Sequence, residues 1–376
     1  MKILFTGGGS GGHFYPLIAV AESINKISKA ENLILPQLFF MSDNPYDAEA
    51  LVENDITFIP IWAGKVRRYA SILNVLDIFK TFFGILGACK KVFSLYPDII
   101  FSKGAYASFP VLVAAKFFRI PVIIHESDSV PGKTNLWAGK FAQKIALSYP
   151  ETAKYFPDQT KIAFTGNPLR QAVLNINKTG AHEYLKLEKS IPTILVIGGS
   201  LGAQIINERI LDALPNLIQN YQILHQTGKN NVTEVSQTAE IIIGTNPNKN
   251  RYRIFDYLND MNITMAAGAA DLIISRAGSS IFEIAAWGIP SIVIPITESN
   301  GNHQRINAYT YARSGAASVI EESNLTTNIL IGEIDRILNN KELREKMSVA
   351  AKNFAEPEAA DKIARELINI ALTHEQ

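Results

Sequence analysis

The sequence repeats itself at an offset of about half its length. The segment ILFTGGGSGG at residues 3–12 has a counterpart in ILVIGGSLGA at residues 194–203. A longer segment, DIIFSKGAYASFPVLVAAKFFRIPVIIHES at 98–127, resembles DLIISRAGSSIFEIAAWGIPSIVIPITES at 271–299. Each member of the first pair reads as a strand, a glycine–serine loop and a helix. Each member of the second reads as strand, Ser-basic loop, helix, Ile-Pro and strand. No short repeat period is present, so a solenoid is disfavoured.

This duplication predicts an α/β protein of two domains. Continuous Val/Ile runs that alternate with helical stretches are typical of buried parallel strands joined by crossover helices. We therefore expect two Rossmann-like domains that face one another across a cleft, each opening on a glycine loop. The boundary is expected in FTGNPLRQ, residues 164–171, where Gly166 and Pro168 interrupt the pattern. The segment 354–372 reads as a terminal helix that begins after Pro357.

Composition excludes some classes of function. A length of 376 residues fits two domains. The formal net charge is only +1, whereas binding to nucleic acid demands a cationic excess, so no nucleic-acid partner is expected. The single cysteine, Cys89, cannot form an internal disulfide, which fits a reducing compartment. We see neither a signal peptide nor an uncharged apolar run of about 18 residues, so no transmembrane helix is predicted.

The first glycine loop allows several interpretations. Glycines after a strand let backbone N–H groups approach an anion, and the next helix supplies its positive end. The same pattern can be a simple tight turn, and it lacks the Gly-Lys-Ser/Thr ending of a P-loop. His13 follows the loop directly. It is either an ordinary first-turn helix residue or a general base, since its usual pKa of about 6.5 suits proton removal at neutral pH.

The later half offers a second set of polar candidates. In SRAGSSIFEIAAWGIP at 275–290, Ser279 and Ser280 can cap a helix and reach an anion, with Glu283 about one turn further on. The alternative is an ordinary capping box between Ser280 and Glu283. The stretch GNHQRINAY at 301–309 suits sugar hydroxyls, or is merely a solvated loop. No Cys/His cluster indicates zinc, and Asp-x-Asp is absent.

The chain resembles the MurG-type enzymes of glycosyltransferase family 28. The motifs that carry this resemblance are, in order, the first glycine loop, GNPLR, the second glycine loop, SRAG…E and NHQRINA. The resemblance runs from the first strand to about residue 350. It implies the GT-B fold and inverting transfer of GlcNAc from UDP-GlcNAc to lipid I, giving lipid II in peptidoglycan synthesis. It also implies domains of residues 1–166, with 357–376 packing back on them, and 167–356. The protein is implied to act at the cytoplasmic face of the bacterial plasma membrane, as a peripheral protein. No cofactor or metal is implied.

The resemblance implies a role for each matching position. On the acceptor side it places Tyr106 and His125, with His13 as the first candidate base and Glu126 as the second. The residues implied to bind UDP-GlcNAc are Ser10, Gly11, Gly12, Asp128, Arg170, Ser200, Leu258, Ser279, Ser280, Ile281, Glu283, His303, Gln304 and Asn307.

Parts of the donor are implied to meet particular residues of that set. The backbone of Leu258 reads uracil, the Ser279–Ile281 turn holds phosphate and Glu283 holds the ribose. Gln304 contacts the GlcNAc hydroxyls, and Arg170 lies near the phosphates. The chain departs from the usual pattern of the family at three residues and in the 276–283 loop, which is one residue shorter. The departing residues are Ala105, Asp128 and Leu201.

The segment 65–93 is a candidate membrane contact. Its apolar residues recur at the spacing of one helix face: Ile72, Val75, Leu76, Phe79, Phe82, Phe83 and Leu86. Its cationic residues are Lys65, Arg67, Arg68, Lys80, Lys90 and Lys91. The alternative is an amphipathic helix packed on the core. In a membrane contact, the apolar residues would enter the bilayer interface and the cations would bind anionic lipid. A lipid-linked acceptor favours this interpretation over packing on the core.

Three other functions stay open. One is a different GT-B transferase, such as a diacylglycerol sugar transferase, and another is a non-catalytic binder of nucleotide sugars or lipids. The third, an NAD(P) oxidoreductase, rests on the glycine loops alone.

Overall fold

The computed structural model describes residues 1–65, 72–199, 202–297 and 300–374. The chain forms two compact units. The first comprises Met1–Arg170 together with Glu356–Gln376, and the second comprises Gln171–Ala355. Each unit is an α/β structure built on one parallel sheet, as the repeated strand–loop–helix pattern predicts.

The first unit contains a sheet of seven parallel strands within its described residues. They are β1 Lys2–Thr6, β2 Gln37–Ser42, β3 Ile56–Pro60, β4 Ile99–Ser102, β5 Val122–Glu126, β6 Lys144–Leu147 and β7 Ile162–Phe164. Numbered along the chain, its helices are α1 Gly11–Ala30, α2 Ala48–Glu53, α3 Ile72–Leu95, α4 Phe109–Phe118, α5 Lys133–Ala138 and the C-terminal α15 Ala359–His374. The strand order is β3-β2-β1-β4-β5-β6-β7.

Both faces of this sheet are covered by helices. Ile3 and Phe5 of β1 pack with α1 and α15, while Leu4 packs on the other face with residues of α3 and α4. Alternate residues of one strand therefore enter two separate cores, which is why the strand is apolar throughout. The strand order reverses between β1 and β4, and in such sheets the carboxyl ends at the reversal form the ligand-binding crevice.

The second unit repeats this plan with six parallel strands in its described part. They are β8 Thr193–Ile197, β9 Gln222–Gln226, β10 Tyr252–Phe255, β11 Leu272–Ser275, β12 Ser291–Val293 and β13 Ala317–Val319, in the order β10-β9-β8-β11-β12-β13. The helices are α6 Gln171–Leu174, α7 Ala181–Tyr184, α8 Gln204–Asn220, α9 Val232–Ile243, α10 Asp260–Ala269, α11 Ser280–Trp287, α12 His303–Arg313, α13 Thr327–Leu338 and α14 Lys341–Phe354.

Its core is also divided by the sheet. Ile194 and Val196 of β8 pack with α8, α9 and α13, whereas Leu195 and Ile197 face a cluster that includes α10. Here the order reverses between β8 and β11. The second glycine loop and the 276–280 turn follow these two strands, so both units place their unusual loops at a switch point.

Candidate active site

The first glycine loop lies close to two neighbouring loops. Gly8 and Gly9 have φ values of +146° and +87°, a region that residues with a side chain seldom adopt. A Cβ at Gly8 would lie 2.7 Å from the Ser42 hydroxyl, which donates a 2.8 Å hydrogen bond to the Gly7 carbonyl. A Cβ at Gly9 would lie 3.2 Å from the Tyr106 ring. The glycines therefore let the loop fit between the end of β2 and Tyr106.

His13 lies in the first turn of α1 and is half-buried. Its Nδ1 is 2.9 Å from the hydroxyl of Ser10, the exposed N-cap residue. Gly11 and Gly12 form the intervening turn of the helix. A neutral imidazole that donates from Nδ1 to Ser10 carries its lone pair on Nε2. The Ser10 hydroxyl can accept that bond, so the contact is compatible with the tautomer that removes a proton at Nε2.

Tyr106 is fixed beside the glycine loop by an aspartate that sequence reasoning missed. The Tyr106 hydroxyl donates to Asp43 Oδ2 over 2.5 Å, and the Lys65 Nζ lies 5.1 Å from the centre of its ring. Burial and the Asp43 carboxylate raise the pKa of Tyr106, so the phenol stays protonated and a donor. A polar residue directly after β2 was the available signal.

Ala105 occupies a backbone conformation that glycine usually adopts. Its φ and ψ are +67° and 173°, and the preceding Gly104 has a φ of +77°. This region of backbone space is strained for any residue with a Cβ. The departure at Ala105 therefore affects the backbone that presents Tyr106.

Glu126 ends β5 and is buried, with three hydrogen bonds from nitrogen donors. Its Oε1 accepts from the Asp128 N–H over 3.1 Å, and its Oε2 accepts from the Gly132 N–H over 3.0 Å and Asn135 Nδ2 over 2.9 Å. Burial raises the pKa of Glu126, and these bonds oppose that rise. The carboxylate ties the loop after β5 together, which leaves the half-buried Asp128 near its surface.

His125 is fully buried and gives no surface to an acceptor. Its Nδ1 is 2.6 Å from Lys103 Nζ, and its Nε2 is 2.9 Å from the Gly166 carbonyl. Burial and the Lys103 charge hold the pKa of His125 well below its usual range, so the ring is neutral. Lys103 is a second residue that sequence reasoning missed, although the Ser-basic-Gly pattern after β4 marked its position.

Arg170 lies within the first unit. Its guanidinium carbon is 4.0 Å from the centre of the Tyr15 ring on α1, a cation–π distance. The Tyr15 hydroxyl in turn donates to Asp47 Oδ2 over 3.2 Å. The structure thus places Arg170, the predicted phosphate contact, against the first turns of α1, on a ring two residues after His13.

In the second unit, Ser200 and Leu201 lie outside the described residues. The flanking Gly199 and Gly202 have φ values of +85° and +77°, typical of a tight loop. Leu258 is buried, and its N–H donates to Gln226 Oε1 over 3.0 Å. Gln226 Nε2 donates to the Gly199 carbonyl over 3.2 Å, so one amide joins the Leu258 loop to the glycine loop. Recognition of a base through the Leu258 N–H would require that bond to break.

The capping-box interpretation of Ser280 and Glu283 is wrong. The helix α11 begins at Ser280, and its N-cap is Ser279, whose side chain makes no capping hydrogen bond in the described part of the chain. The Ser280 hydroxyl lies 3.1 Å from the Ser275 hydroxyl instead. Ile281 is fully buried, so it can meet a phosphate only through its backbone.

The predicted site residues of α12 divide into half-buried and fully buried ones. Gln304 Oε1 accepts from the Ile296 N–H over 3.2 Å, and His303 is half-buried at the start of the helix. Asn307 is buried, and its Nδ2 donates to the Ala277 carbonyl over 3.1 Å. Asn307 therefore links α12 to the turn before α11 rather than reaching solvent.

Two findings concern metals and membranes. In residues 1–65, 72–199, 202–297 and 300–374 no group of three or more His, Cys, Asp or Glu side chains could hold a metal ion. Over the same residues, no helix is long and apolar enough to cross a bilayer.

Family comparisons cover both units. The glycosyltransferase family 28 N-terminal domain matches residues 3–147, and the family 28 C-terminal domain matches residues 193–363. A Bacillus thuringiensis (strain Al Hakam) protein, UDP-N-acetylglucosamine--N-acetylmuramyl-(pentapeptide) pyrophosphoryl-undecaprenol N-acetylglucosamine transferase 3, is 36% identical over 96% of this chain and 97% of its own. A transferase of the same name from Clostridium novyi (strain NT) is 36% identical over 94% of this chain and 95% of its own.

Solved structures agree on the fold. The crystal structure of Acinetobacter baumannii MurG has a TM-score of 0.72 and 26% identity, with 98% of this chain and 99% of that one covered. A UDP-GlcNAc 2-epimerase from Neisseria meningitidis bound to UDP-GlcNAc has a TM-score of 0.68 at 14% identity, covering 98% and 100%. The second similarity shows the fold alone. The two Rossmann-like units of the expected GT-B fold are confirmed.

Proposed function

The chain belongs to glycosyltransferase family 28, and from this premise we propose that it is an inverting N-acetylglucosaminyltransferase that moves GlcNAc from UDP-GlcNAc to lipid I and so forms lipid II. The observation that carries the proposal is the extent of the similarity. The Bacillus thuringiensis relative, whose name states this activity, aligns over 96% of the chain, and the two family 28 domains at 3–147 and 193–363 include both glycine loops. A shared fold alone would not specify the reaction.

In the proposed reaction, His13 acts as the general base. Its Nε2 takes the proton of the acceptor hydroxyl, the oxygen attacks C1 of GlcNAc, and the C1–O bond to UDP breaks with inversion. Ser10, 2.9 Å from Nδ1, accepts the Nδ1–H hydrogen bond in this proposal and so orients the ring. Gly11 and Gly12 lie at the N-terminal end of α1, where backbone N–H groups and the helix dipole favour negative charge.

Glu126 is the weaker candidate for the base. Both of its oxygens accept hydrogen bonds from nitrogen donors of the loop after β5. Glu126 is also only 5% exposed, so a substrate hydroxyl has little access to it. We propose that Glu126 holds Asp128 and the surrounding loop in place, and that Tyr106 contacts the acceptor.

The second unit is proposed to bind the donor. The turn before α11 offers Ser279 and the N–H groups of the first helical turn to the diphosphate, and these groups also stabilise the charge that develops on leaving UDP. Glu283 would take the ribose, while His303 and Gln304 would take GlcNAc. Asn307 would hold this turn through its hydrogen bond to the Ala277 carbonyl, and the buried Ile281 would anchor the start of α11 in the core.

A membrane surface is the proposed location, at the cytoplasmic face of the plasma membrane. The α3 side chains Phe79 and Phe82 are 58% and 56% exposed, and Ile78, Phe83 and Leu86 are exposed beside them. This face is not packed on the core, and the exposed Lys80 and Lys90 are on the same helix. Such a pairing suits an interfacial contact with anionic lipid.

Vesicle flotation tests the membrane contact. The double variant Phe79→Ser/Phe82→Ser is expected to lose binding to vesicles that contain anionic lipid. Ile241→Ser is the matched control, because Ile241 is an 86% exposed side chain of the other unit. Equal binding by both variants would remove α3 from the proposal.

An acceptor assay tests the reaction itself. Purified full-length protein receives labelled UDP-GlcNAc with lipid I, with diacylglycerol or with no acceptor, and labelled product should form only with lipid I. Labelled diacylglycerol would indicate a different lipid acceptor. Donor binding without UDP release for any acceptor would indicate a non-catalytic binder.

His13→Ala tests the base. We expect its kcat to fall by about 10²- to 10⁴-fold, the usual contribution of general base catalysis, with unchanged affinity for UDP. His182→Ala, which alters a half-buried histidine of α7, serves as control. Full transfer activity in His13→Ala would refute the role of His13.

A further inference from the structure

Lys103 is a lysine buried beneath the first glycine loop. It follows β4 directly, is 1% exposed, and its N–H donates to the Thr6 carbonyl over 3.0 Å. A Cβ at Gly7 would lie 3.2 Å from Lys103 Cβ and equally far from the His13 carbonyl. The lysine stem thus passes directly under the turn that leads to His13.

The ammonium of Lys103 begins a chain of hydrogen bonds. Its Nζ is 2.6 Å from His125 Nδ1 and 3.5 Å from Asn167 Oδ1. A lysine ammonium only donates, so Nδ1 must be the acceptor and the ring proton sits on Nε2. That Nε2–H then donates to the Gly166 carbonyl over 2.9 Å. Lys103 therefore fixes the tautomer of His125 and, through it, the backbone at Gly166.

The charged groups around Lys103 come from three elements. Burial lowers the pKa of Lys103 to about 8, while the carboxylates of Glu126, at the end of β5, and Asp128, in the loop after it, act in the opposite direction. His125, beside it on β5, is held neutral by burial and by this charge, and His13 on α1 contributes in the same sense. The charges of these two carboxylates therefore favour the ammonium form against the effect of burial.

The segment fixed in this way leads to a predicted substrate contact. Gly166 and Asn167 open the GNPLR sequence, which ends with Arg170 stacked on Tyr15 at 4.0 Å. Gly166 has a φ of +81°, so this turn depends on a special backbone conformation. A carbonyl held by His125 is a direct restraint on that turn.

We infer that Lys103 is a positioning residue for the transfer reaction: through His125 it restrains the Gly166–Arg170 segment and so presents Arg170 beside the first glycine loop. This inference rests on the proposed function. A purely structural lysine would contribute to stability without affecting the kinetics of the folded enzyme.

The test compares Lys103→Met with Leu367→Ala in the full-length chain. Leu367 is a fully buried residue of α15 in the core around α1, so its truncation lowers stability without touching the Lys103 network. We expect Lys103→Met to lose at least tenfold in kcat/KM for UDP-GlcNAc at temperatures where both variants are folded. Wild-type activity should decline above about pH 8, and Lys103→Met should lack that decline. Kinetics and a pH profile like those of Leu367→Ala would overturn the inference.

His125→Gln provides a second arm, should Lys103→Met fold poorly. Because both residues belong to one hydrogen-bond chain, the double variant should be no slower than the slower single variant. Additive losses would contradict the chain. Nitrogen NMR of His125 should show the Nε2–H tautomer in wild type and a changed signal in Lys103→Met; an unchanged signal would count against the contact. Absence of transfer by wild type would refute the proposed function instead, because the NMR readout needs no activity.

Discussion

In the first unit β4 is followed by Lys103, and in the second unit β11 is followed by Arg276 at the matching point of the repeat. The registers are also equivalent, since Ser102 pairs with Ile124 and Ser275 pairs with Val293. The next residue of the neighbouring segment then faces each cation. In the first unit this residue is His125, whose ring contacts Lys103. In the second unit it is Ile294, whose backbone carbonyl lies 3.1 Å from Arg276 Nη1.

The two cations differ in how their charge is compensated. Arg276 Nη1 lies 2.7 Å from Glu322 Oε1, with both side chains mostly buried. Lys103 instead meets a neutral imidazole and an amide oxygen. A direct ion pair keeps both groups charged and holds the turn in one geometry, whereas burial lowers the pKa of the Lys103 ammonium, which lies on neutral acceptors, to about 8. The same repeat position thus serves stability in one unit and is open to titration in the other.

The backbone after each cation differs as well. Gly104 and Ala105 both have positive φ, while the equivalent Ala277 and Gly278 are not among the residues with positive φ in the described chain. The glycine and the alanine have changed places between the copies. Four substitutions, in decreasing order of expected effect, test how far this difference extends.

Gly104→Ala is expected to cost the most, about 3 kcal/mol of unfolding free energy. The new Cβ would lie 2.7 Å from the buried Asn135 Oδ1, and a φ of +77° is strained for alanine. Urea denaturation measures the loss. The control is Gly278→Ala, which meets nothing within 4 Å and should change stability by less than about 0.5 kcal/mol. Equal costs would mean that the two turns share one backbone conformation.

Each unit also buries a neutral histidine, and this predicts a loss of stability in acid. His225 is fully buried between the Tyr252 hydroxyl and Asn207 Oδ1, and burial lowers its pKa from 6.5 to about 3. Between pH 6.5 and 3, His225 is therefore protonated in the unfolded chain but neutral in the folded chain. The free energy of unfolding consequently falls as the pH falls. At pH 5 the loss from His225 is about 2 kcal/mol.

His225→Gln separates this contribution from that of His125, which acts in the same direction in the first unit. The variant should show a shallower decline in unfolding free energy from pH 7 to pH 5 than wild type. A decline of unchanged slope would indicate that the pKa of His225 is the same in the folded and the unfolded protein.

The repeated pattern in the sequence was sufficient to predict both sheets, because strand–loop–helix periodicity reports burial along the chain. It also located the glycine loops at the carboxyl ends of strands. Pairings such as Lys103 with His125, or Asn307 with Ala277, could not be predicted. They join residues 22 and 30 positions apart, and their geometry depends on strand register. The predicted capping role of Ser280 was wrong for a local reason, because its hydroxyl bonds to the Ser275 hydroxyl and does not cap α11.

Arg276→Met tests the ion pair of the second unit and should cost about 1.5 kcal/mol. It leaves the mostly buried Glu322 without its cation, but the Thr297 N–H and hydroxyl still donate to that carboxylate over 2.8 and 2.7 Å. Arg305→Ala removes the adjacent exposed pair with Glu321 and should cost at most about 0.5 kcal/mol. Thermal unfolding of the two variants compares them, and equal shifts would show that burial of the Arg276 pair has no energetic consequence.

Ala105→Gly is expected to act in the opposite direction and to raise the unfolding free energy by about 1 kcal/mol. The backbone at Ala105, with φ +67° and ψ 173°, strains a residue that has a Cβ by about 1–3 kcal/mol. Glycine removes that strain but adds about 0.4–1 kcal/mol of chain entropy to the unfolded state. Ala107→Gly is the matched control two residues on. Ala107 is fully buried in the same turn and is not among the residues with positive φ, so glycine there should destabilise the protein. Loss of stability in both variants would mean that Ala105 is accommodated without strain, and the contrast with Gly278 would then reduce to the single exchange at Gly104.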